Sequence, residues 1–278
     1  MSESGSKRRD RAAAAREAAQ SEERRRERLV RIIGAVVVVV VVVGIIAVAV
    51  VARGNSSSVP TAEVDPGAAL PAGVLAADSP QAFGVPYGTA SETAPVLEIW
   101  EDFQCPACGS VEQANGAGIA ALAEEGEVRL IWRPATFLDR VNEGRDAAVR
   151  DSSSRATAAW GCAIDAGKTR EFHDALYANQ PAGEGDGWTD EQFTAVAEQA
   201  GIAGADLEAF QACVADGTYR GWANNSGVTF SSSGADGTPY ALLDGVPVPT
   251  PTLADDALLR EFIASGGAAE GAAPQETP

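Results

Sequence analysis

The stretch Val96-Leu97-Glu98-Ile99-Trp100-Glu101-Asp102-Phe103-Gln104-Cys105-Pro106-Ala107-Cys108 decides the fold, because two cysteines follow directly on an apolar segment. The β-branched, aromatic and apolar residues from Val96 to Phe103 predict a largely buried strand. The Ala-rich segment from Ser110 to Leu122 predicts a helix. The two thiols therefore lie where a strand gives way to a helix, at a spacing that lets them close reversibly into a small disulfide ring.

Cys105 is the predicted nucleophile, because the unpaired N–H groups and partial positive charge of a helix N-terminus stabilise a thiolate. Pro106 suits an early helical position, where its missing N–H has no partner to lose. Ala107 offers no side-chain donor to the thiolate. Cys108, one turn further, is the predicted resolving thiol. Alternatively, the C-x-x-C motif could form half of a zinc site or a permanent structural disulfide. The chain has a single histidine and no second C-x-x-C, which argues against both alternatives.

A second signal lies near the end of the chain, where Gly237-Thr238-Pro239 opens a predicted hairpin of two short strands. The strands join at Asp244-Gly245, a dipeptide that accepts the positive φ values of a tight turn. Taken alone, the bond before Pro239 is expected to be trans.

The segments Glu101–Cys108, Glu171–Pro181 and Gly237–Pro239 together resemble membrane-anchored DsbA-like thiol-disulfide oxidoreductases. The resemblance covers about residues 80–265 and implies an α/β thioredoxin fold with a helical insertion at about 140–226. It also implies that Cys105 attacks, that Cys108 resolves, and that Pro239 is cis and faces the disulfide. Pro106, Ala107, Thr238 and Pro239 would support the active site, with Thr238 and Pro239 shaping a groove for an extended substrate peptide. No cofactor and no metal are expected.

One position departs from the pattern of this fold. Many thioredoxin-fold enzymes carry a buried carboxylate six residues before the first cysteine, where this chain has Ile99. Glu101 and Asp102 are nearer, but strand alternation places them on opposite faces, so at most one could transfer a proton, and neither is assigned as catalytic. His173, the only histidine, is expected to pack or to lie on a polar surface rather than to act as base or ligand.

Cys162 and Cys213 are predicted to form a structural disulfide. Closing the long loop between them contributes up to ~4 kcal/mol in the chain-entropy estimate. The alternative is two separate buried thiols acting as small core residues. All four cysteines follow the apolar run described next, which fits an oxidising compartment.

Residues 32–52 form an uninterrupted apolar run that would span about 31 Å as a helix, which predicts one N-terminal transmembrane helix. The basic leader, residues 1–31, predicts a cytoplasmic N-terminus and an extracytoplasmic domain. A cleaved signal peptide ending near Ala47-Val48-Ala49 is the competing interpretation. Residues 53–79 predict a flexible tether, residues 80–265 the DsbA-like domain, and residues 266–278 a disordered tail.

Helices are expected across the insertion and at the end of the domain, with a Thr189/Gln192 capping box at the start of one of them. The predicted ranges are 145–166, 171–178, 190–200, 206–222 and 253–264. From Asn55 onward, ten Lys/Arg and 33 Asp/Glu give a formal charge of −23, which disfavours anionic partners of the exported part. No zinc spacing or aromatic interleaving indicates nucleic-acid binding.

The leading hypothesis is a dithiol oxidase that donates its Cys105–Cys108 disulfide to exported cysteine-containing proteins. The resemblance implies reoxidation by a membrane quinone-linked oxidase of the DsbB or vitamin K epoxide reductase-like type. A disulfide reductase or isomerase uses the same chemistry in another direction. A non-enzymatic, envelope-tethered binding or zinc-holding module is the alternative from a different class.

Overall fold

A five-stranded mixed sheet forms the centre of the domain in the computed structural model, which describes residues 63–142, 146, 149–183 and 185–267. The spatial order is β1-β3-β2-β4-β5, with β2 parallel to β3 and all other neighbours antiparallel. The side chains of Leu97 and Ile99 on the central strand are fully buried, as the apolar sequence predicts. The strands are β1 (Val85–Tyr87), β2 (Val96–Glu101), β3 (Arg129–Pro134), β4 (Tyr240–Leu243) and β5 (Val246–Val248).

Helix α1 (Pro106–Glu124) connects β2 to its parallel neighbour β3. Proline at its first position and several alanines along its length favour this helix. Its buried residues include Ile119 and Leu122, both without exposed surface. The predicted β-α-β unit is therefore present, and it places the N-terminus of α1 at the end of the central strand.

A helical insertion separates β3 from β4, in agreement with the predicted fold class. Its helices are α2 (Ser152–Asp165), α3 (Thr169–Ala178), α4 (Asp190–Gln199), α5 (Ala205–Asp216) and α6 (Arg220–Ser231), preceded by a 3-10 helix, Phe137–Asn142. The predicted capping box at Thr189 and Gln192 is formed, which explains why the start of α4 was predicted correctly.

Two boundaries of the insertion differ from the prediction. The expected helix 206–222 is two helices, because Gly217 adopts a left-handed conformation with φ 63° and ends α5. The expected helix from residue 145 begins only at Ser152. There, Asp139 of the 3-10 helix accepts hydrogen bonds from the backbone N–H of Ser153 at 2.7 Å and of Ser154 at 3.1 Å. Because Asp139 caps α2 from another segment, the residues around Ser152 contain no local pattern that predicts where this helix begins.

The C-terminal part of the domain completes the sheet and covers it. Asp244 and Gly245 have φ values of 48° and 85°, so the Asp-Gly hairpin turn is formed as predicted. The expected helix 253–264 is divided into α7 (Thr250–Leu253) and α8 (Asp256–Ala264), since the Asp255 side chain caps α8 by accepting from the N–H of Leu258.

The predicted leader, the predicted transmembrane helix and residues 53–62 of the predicted tether lie outside the described residues. Within the described ranges, no helix has the length and apolar character needed to cross a membrane. The rest of the tether differs from expectation, because it packs on the domain. Leu70 and Val74 contact the hydrophobic core, and the N–H of Ala72 donates to Asp165 of α2 at 2.9 Å. Most of the predicted tail, residues 268–278, also lies outside the described part.

Candidate active site

The two thiols of the C-x-x-C motif meet at the N-terminus of α1, both in the free form. Cys105 is the N-cap residue and has an extended backbone, while Cys108 lies in the first turn. The Cys105 residue is 7% exposed and Cys108 is 0% exposed, so only the first sulfur is near the surface. Pro106 and Ala107 are exposed beside them. The geometry thus separates an outer thiol from an inner one, as the predicted roles require.

The environment of Cys105 favours its thiolate. Hydrogen bonding from the Cys108 thiol is the largest influence and lowers the pKa of Cys105 from 9.0 to about 6, against the opposing effect of burial. Thr238 and the backbone N–H groups of Cys108 and Ala107 lower this pKa further. These N–H groups are the unpaired donors of the first helical turn. Ala107 therefore contributes through its backbone, although its side chain offers no donor.

The environment of Cys108 has the opposite effect. Burial is the main cause that raises the pKa of this thiol well above 9.0, and the hydrogen bond to Cys105 and the negative charge of Glu101 raise it further. Cys108 is consequently a neutral thiol near neutral pH whenever the pair is reduced. It can donate its hydrogen to the Cys105 thiolate, so the two thiols of the motif have unequal acidity.

Thr238 and Pro239 lie across from the thiol pair, although they follow it by more than a hundred residues. The Thr238–Pro239 peptide bond is cis, which is the isomer that the resemblance implies. The Cys105 sulfur is 3.3 Å from the backbone carbonyl oxygen of Thr238. The connection that leads into β4 is therefore one wall of the site, next to the exposed Pro106 and Ala107.

Asp102 anchors the turn between β2 and α1 from inside the protein. Its carboxyl group is fully buried and accepts hydrogen bonds from the Ser153 hydroxyl at 2.6 Å, the Gln104 N–H at 2.9 Å and the Leu138 N–H at 3.0 Å. Burial is the largest cause that raises the pKa of Asp102 to about 7, and the hydrogen bonds oppose that rise. Asp102 thus attaches the active-site turn to the insertion, a role that the sequence analysis did not assign.

Gln180, in the loop after α3, holds the same turn from another side. Its side-chain amide donates to the carbonyl oxygens of Phe103 at 2.8 Å and of Cys105 at 2.9 Å. Gly109 permits this approach, because a Cβ atom at that position would collide with the Gln180 amide oxygen. Gln180 belongs to a segment that carries the family resemblance, but no local pattern indicates which backbone it contacts.

A buried group of ionisable side chains lies behind the thiols. The His173 Nε2 atom is 3.2 Å from a carboxylate oxygen of Glu101, and the ring stacks on Trp132 at 4.6 Å between centroids. Burial is the largest influence on the pKa of His173 and acts to lower it, but interactions with Asp174, Glu101 and Glu112 outweigh it and raise this pKa to about 10. His173 is packed, as expected, but it also has a charged partner that the sequence did not indicate.

The closest set of potential metal ligands in the described part of the chain is Glu101, Glu112 and His173. Their ligand atoms lie within 4.8 Å of one another, and the set contains neither cysteine of the C-x-x-C motif. Glu101 and Asp102 are both buried and turn to different partners, as strand alternation predicts.

The other two cysteines are joined to each other. Cys162 of α2 and Cys213 of α5 form a disulfide with their Cα atoms 5.9 Å apart. This bond lies within the insertion, in a different part of the fold from the thiol pair, so the four cysteines divide into one free pair and one bonded pair.

Comparison with known proteins gives a family and a set of similar folds. The family model described as thioredoxin matches residues 87–263. MdbA, a thiol-disulfide oxidoreductase from Actinomyces oris, is 22% identical, with a TM-score of 0.55 over 66% of this chain and 88% of that chain. Mtb DsbA in its oxidised form is 24% identical, with a TM-score of 0.51 over 68% of this chain and 95% of that chain.

BdbD from Bacillus subtilis, also oxidised, is 16% identical, with a TM-score of 0.54 over 66% of this chain and 92% of that chain. No curated protein sequence matches this chain significantly. At these sequence identities, the structural similarities show a shared fold. The chemistry of the thiols depends on the geometry of this site.

Proposed function

Because the chain belongs to the thioredoxin family, we propose that it is a protein thiol-disulfide oxidoreductase that donates the Cys105–Cys108 disulfide to exported proteins. The observation that carries the proposal is the unequal acidity of the two thiols. The pKa of Cys105 is lowered to about 6, whereas that of Cys108 is raised well above 9.0. An outer sulfur that ionises easily, beside an inner sulfur that keeps its proton, is what a dithiol exchange reaction needs.

The reaction begins from the oxidised motif. A substrate thiolate attacks the Cys105 sulfur, the Cys105–Cys108 bond breaks, and Cys108 leaves with the electron pair and takes up a proton. A second substrate thiolate then attacks the substrate's first sulfur in the mixed disulfide, the bond between that sulfur and Cys105 breaks, and Cys105 leaves as a thiolate. The substrate loses two electrons and forms one disulfide, while the motif gains the two electrons.

The acidity of Cys105 also favours this direction. A thiolate that is stabilised in the reduced protein stabilises the reduced form, so the disulfide is given up more readily. A low thiol pKa also makes Cys105 a good leaving group in the second step. These arguments favour an oxidase over the reductase or isomerase alternative.

The compartment and the electron partner are further parts of the proposal. The apolar run 32–52 and the basic leader before it support a single membrane anchor with the domain outside the cytoplasm. The Cys162–Cys213 disulfide supports an oxidising environment. A membrane quinone-linked oxidase of the DsbB or vitamin K epoxide reductase-like type would restore the Cys105–Cys108 disulfide after each turnover.

Oxidation of a reduced client protein tests the assignment of Cys105. The wild-type protein, with its motif oxidised, is expected to form one disulfide in the client per motif, whereas Cys105→Ser is expected to form none. Cys162→Ala with Cys213→Ala serves as the matched control, because it removes two cysteines outside the thiol pair. Client oxidation by Cys105→Ser at the wild-type rate would reject the proposal.

The redox state of the motif in cells separates the oxidase from the alternative. An oxidase is expected to hold Cys105 and Cys108 mostly as a disulfide, and a reductase or isomerase to hold them mostly as thiols. Trapping the thiols with acid and labelling them with a mass tag measures this ratio. A mostly reduced pair would favour the reductase or isomerase.

A further inference from the structure

The ionisable group behind the thiol pair has a composition that the exchange reaction does not require. Glu101 ends β2, Glu112 lies on α1 and His173 lies on α3 of the insertion, so three separate elements meet there. Glu101 is 5% exposed and His173 is 1% exposed, while Glu112 is partly buried. Their ligand-type atoms all lie within 4.8 Å of one another.

Each ring nitrogen of His173 lies near a carboxylate. Its Nε2 atom points to Glu101 at 3.2 Å, and its Nδ1 atom lies 3.6 Å from a carboxylate oxygen of the neighbouring Asp174. In metal sites, the ring nitrogen that does not bind the metal is typically held by a carboxylate or a carbonyl. Asp174 is held in turn by Arg170 at 3.3 Å. At 3.6 Å, Asp174 is near Nδ1 without a hydrogen bond to it, so Nδ1 is a further buried polar atom without a partner among the described residues, while Nε2 lies beside Glu101.

Several polar atoms of this region lack partners. Among the described residues, one carboxylate oxygen each of Glu101 and Glu112 and the hydroxyl of Tyr177 are buried without a hydrogen bond. The Tyr177 side chain is 2% exposed, and its ring is 5.1 Å from that of His173. An unsatisfied buried polar group is destabilising, so three of them in one region indicate that a partner is missing from it.

The group also contains more carboxylates than basic side chains. Even a protonated His173 supplies one positive charge to three carboxylates, those of Glu101, Glu112 and Asp174. Of these three carboxylates, Arg170 contacts that of Asp174, and it also pairs with Glu124. Crowded carboxylates are unfavourable in a buried site unless they are paired with a positive charge. An ion could enter from solvent, because Glu112, Asp174 and Tyr177 line one surface cleft of about 210 Å³.

We propose that Glu101, Glu112 and His173 bind one divalent transition-metal cation of the Zn²⁺ class. One imidazole nitrogen and two carboxylate oxygens form a ligand set that Zn²⁺ accepts, and three protein ligands leave a fourth position for water. The Tyr177 hydroxyl, which has no hydrogen-bond partner among the described residues, would be an available donor near this group. The site is distinct from a zinc site at the C-x-x-C motif, since neither of those cysteines is part of it.

Zinc binding to the oxidised full-length protein tests the proposal. With the Cys105–Cys108 disulfide closed, neither sulfur can bind the metal as a thiolate. Calorimetric titration with ZnCl₂, checked by metal analysis after dialysis, is expected to give one Zn²⁺ per chain. Glu112→Gln and His173→Gln are each expected to weaken binding at least tenfold, as ligand loss should. The exposed Glu191→Gln, on α4, is the matched control and should bind as the wild type does.

A thermal unfolding measurement on the wild type and Glu112→Gln tests the proposal without His173→Gln, in case that variant does not fold. The melting temperature of the wild type is expected to rise as the zinc concentration, and with it the occupancy of the site, increases. The melting temperature of Glu112→Gln is expected to stay unchanged. Absence of stoichiometric binding to the wild type would overturn the proposal and would leave Glu101, Glu112 and His173 as a proton-sharing network only. Equal binding by the wild type and Glu112→Gln would also overturn it. Neither result depends on disulfide exchange.

Discussion

At the scale of single residues, the site depends on two cysteines with the same side chain and different environments. Cys105 caps a helix, and its thiolate accepts a hydrogen bond from Cys108, which lowers its pKa to about 6. Cys108 has no exposed surface, and burial is the main cause that raises its pKa. A difference of one turn along a helix therefore gives the two sulfurs different acidities, as the proposed roles of nucleophile and resolving thiol require.

Alkylation of the reduced protein as a function of pH measures this difference. Labelling of Cys105 by iodoacetamide is expected to rise with pH through a midpoint at about 6, because the thiolate is the reactive form. Cys108 should stay unlabelled through pH 8. Mass spectrometry of the labelled peptides distinguishes the two sulfurs. A midpoint near 9.0, the ordinary thiol value, would contradict the proposed stabilisation of the thiolate.

The same shift predicts how the stability of the reduced form changes with pH. Because the pKa of Cys105 falls from 9.0 to about 6 on folding, its contribution is complete above about pH 9 and is lost as pH falls towards 6. The free energy of unfolding of the reduced protein should therefore decline relative to that of the oxidised protein over this range. The comparison with the oxidised protein cancels the titration of groups that both forms share, such as Asp102 and His173.

At the scale of elements, the insertion is attached to the active-site turn by specific hydrogen bonds. Ser153 of α2 donates to Asp102, and Gln180 after α3 donates to the carbonyl groups of Phe103 and Cys105. The insertion therefore does more than cover the sheet, since it holds the backbone on both sides of Cys105.

Replacement of Gln180 by alanine tests this attachment. Gln180→Ala removes two hydrogen bonds, each worth about 1 kcal/mol, that hold the backbone carbonyl groups of Phe103 and Cys105 at the start of α1. The pH midpoint of Cys105 alkylation is expected to move up towards 9.0, and client oxidation should slow several-fold. Gln211→Ala, at an exposed position on α5, is the matched control. An unchanged midpoint in Gln180→Ala would show that the turn holds its geometry without this contact.

At the scale of the whole molecule, the second disulfide stabilises the insertion. Cys162 and Cys213 are 51 positions apart in the sequence, and their bond joins α2 to α5. Helix α2 also contributes Ser153, which contacts the active-site turn through Asp102. The bond thus constrains the part of the fold that supports the thiol pair without being part of the exchange reaction.

Removal of this disulfide is expected to cost stability and to leave the chemistry intact. Cys162→Ala with Cys213→Ala should lower the free energy of unfolding by about 2–4 kcal/mol, because the unfolded chain regains the entropy of an open loop. Urea denaturation measures the loss. Client oxidation under conditions where the variant is folded should match the wild type, and abolished oxidation there would assign these cysteines a part in exchange.

Local patterns determined a large part of this protein. The strand before Cys105, the helix after it, the capping box at Thr189 and the turn at Asp244-Gly245 are each encoded within a few neighbouring residues, and all four were predicted. The spacing of the two active-site cysteines also indicates their chemistry, because a reversible disulfide needs only two thiols a helical turn apart.

Only the tertiary structure decided what surrounds those thiols. Gln180 contacts Phe103 across 77 positions, His173 contacts Glu101 across 72, and Ser153 contacts Asp102 across 51. A buried polar side chain must find a partner somewhere in the fold, but the sequence does not state which one, since the partner is brought near by packing rather than by spacing. The acidity of Cys105 and the grouping of Glu101, Glu112 and His173 follow from that packing.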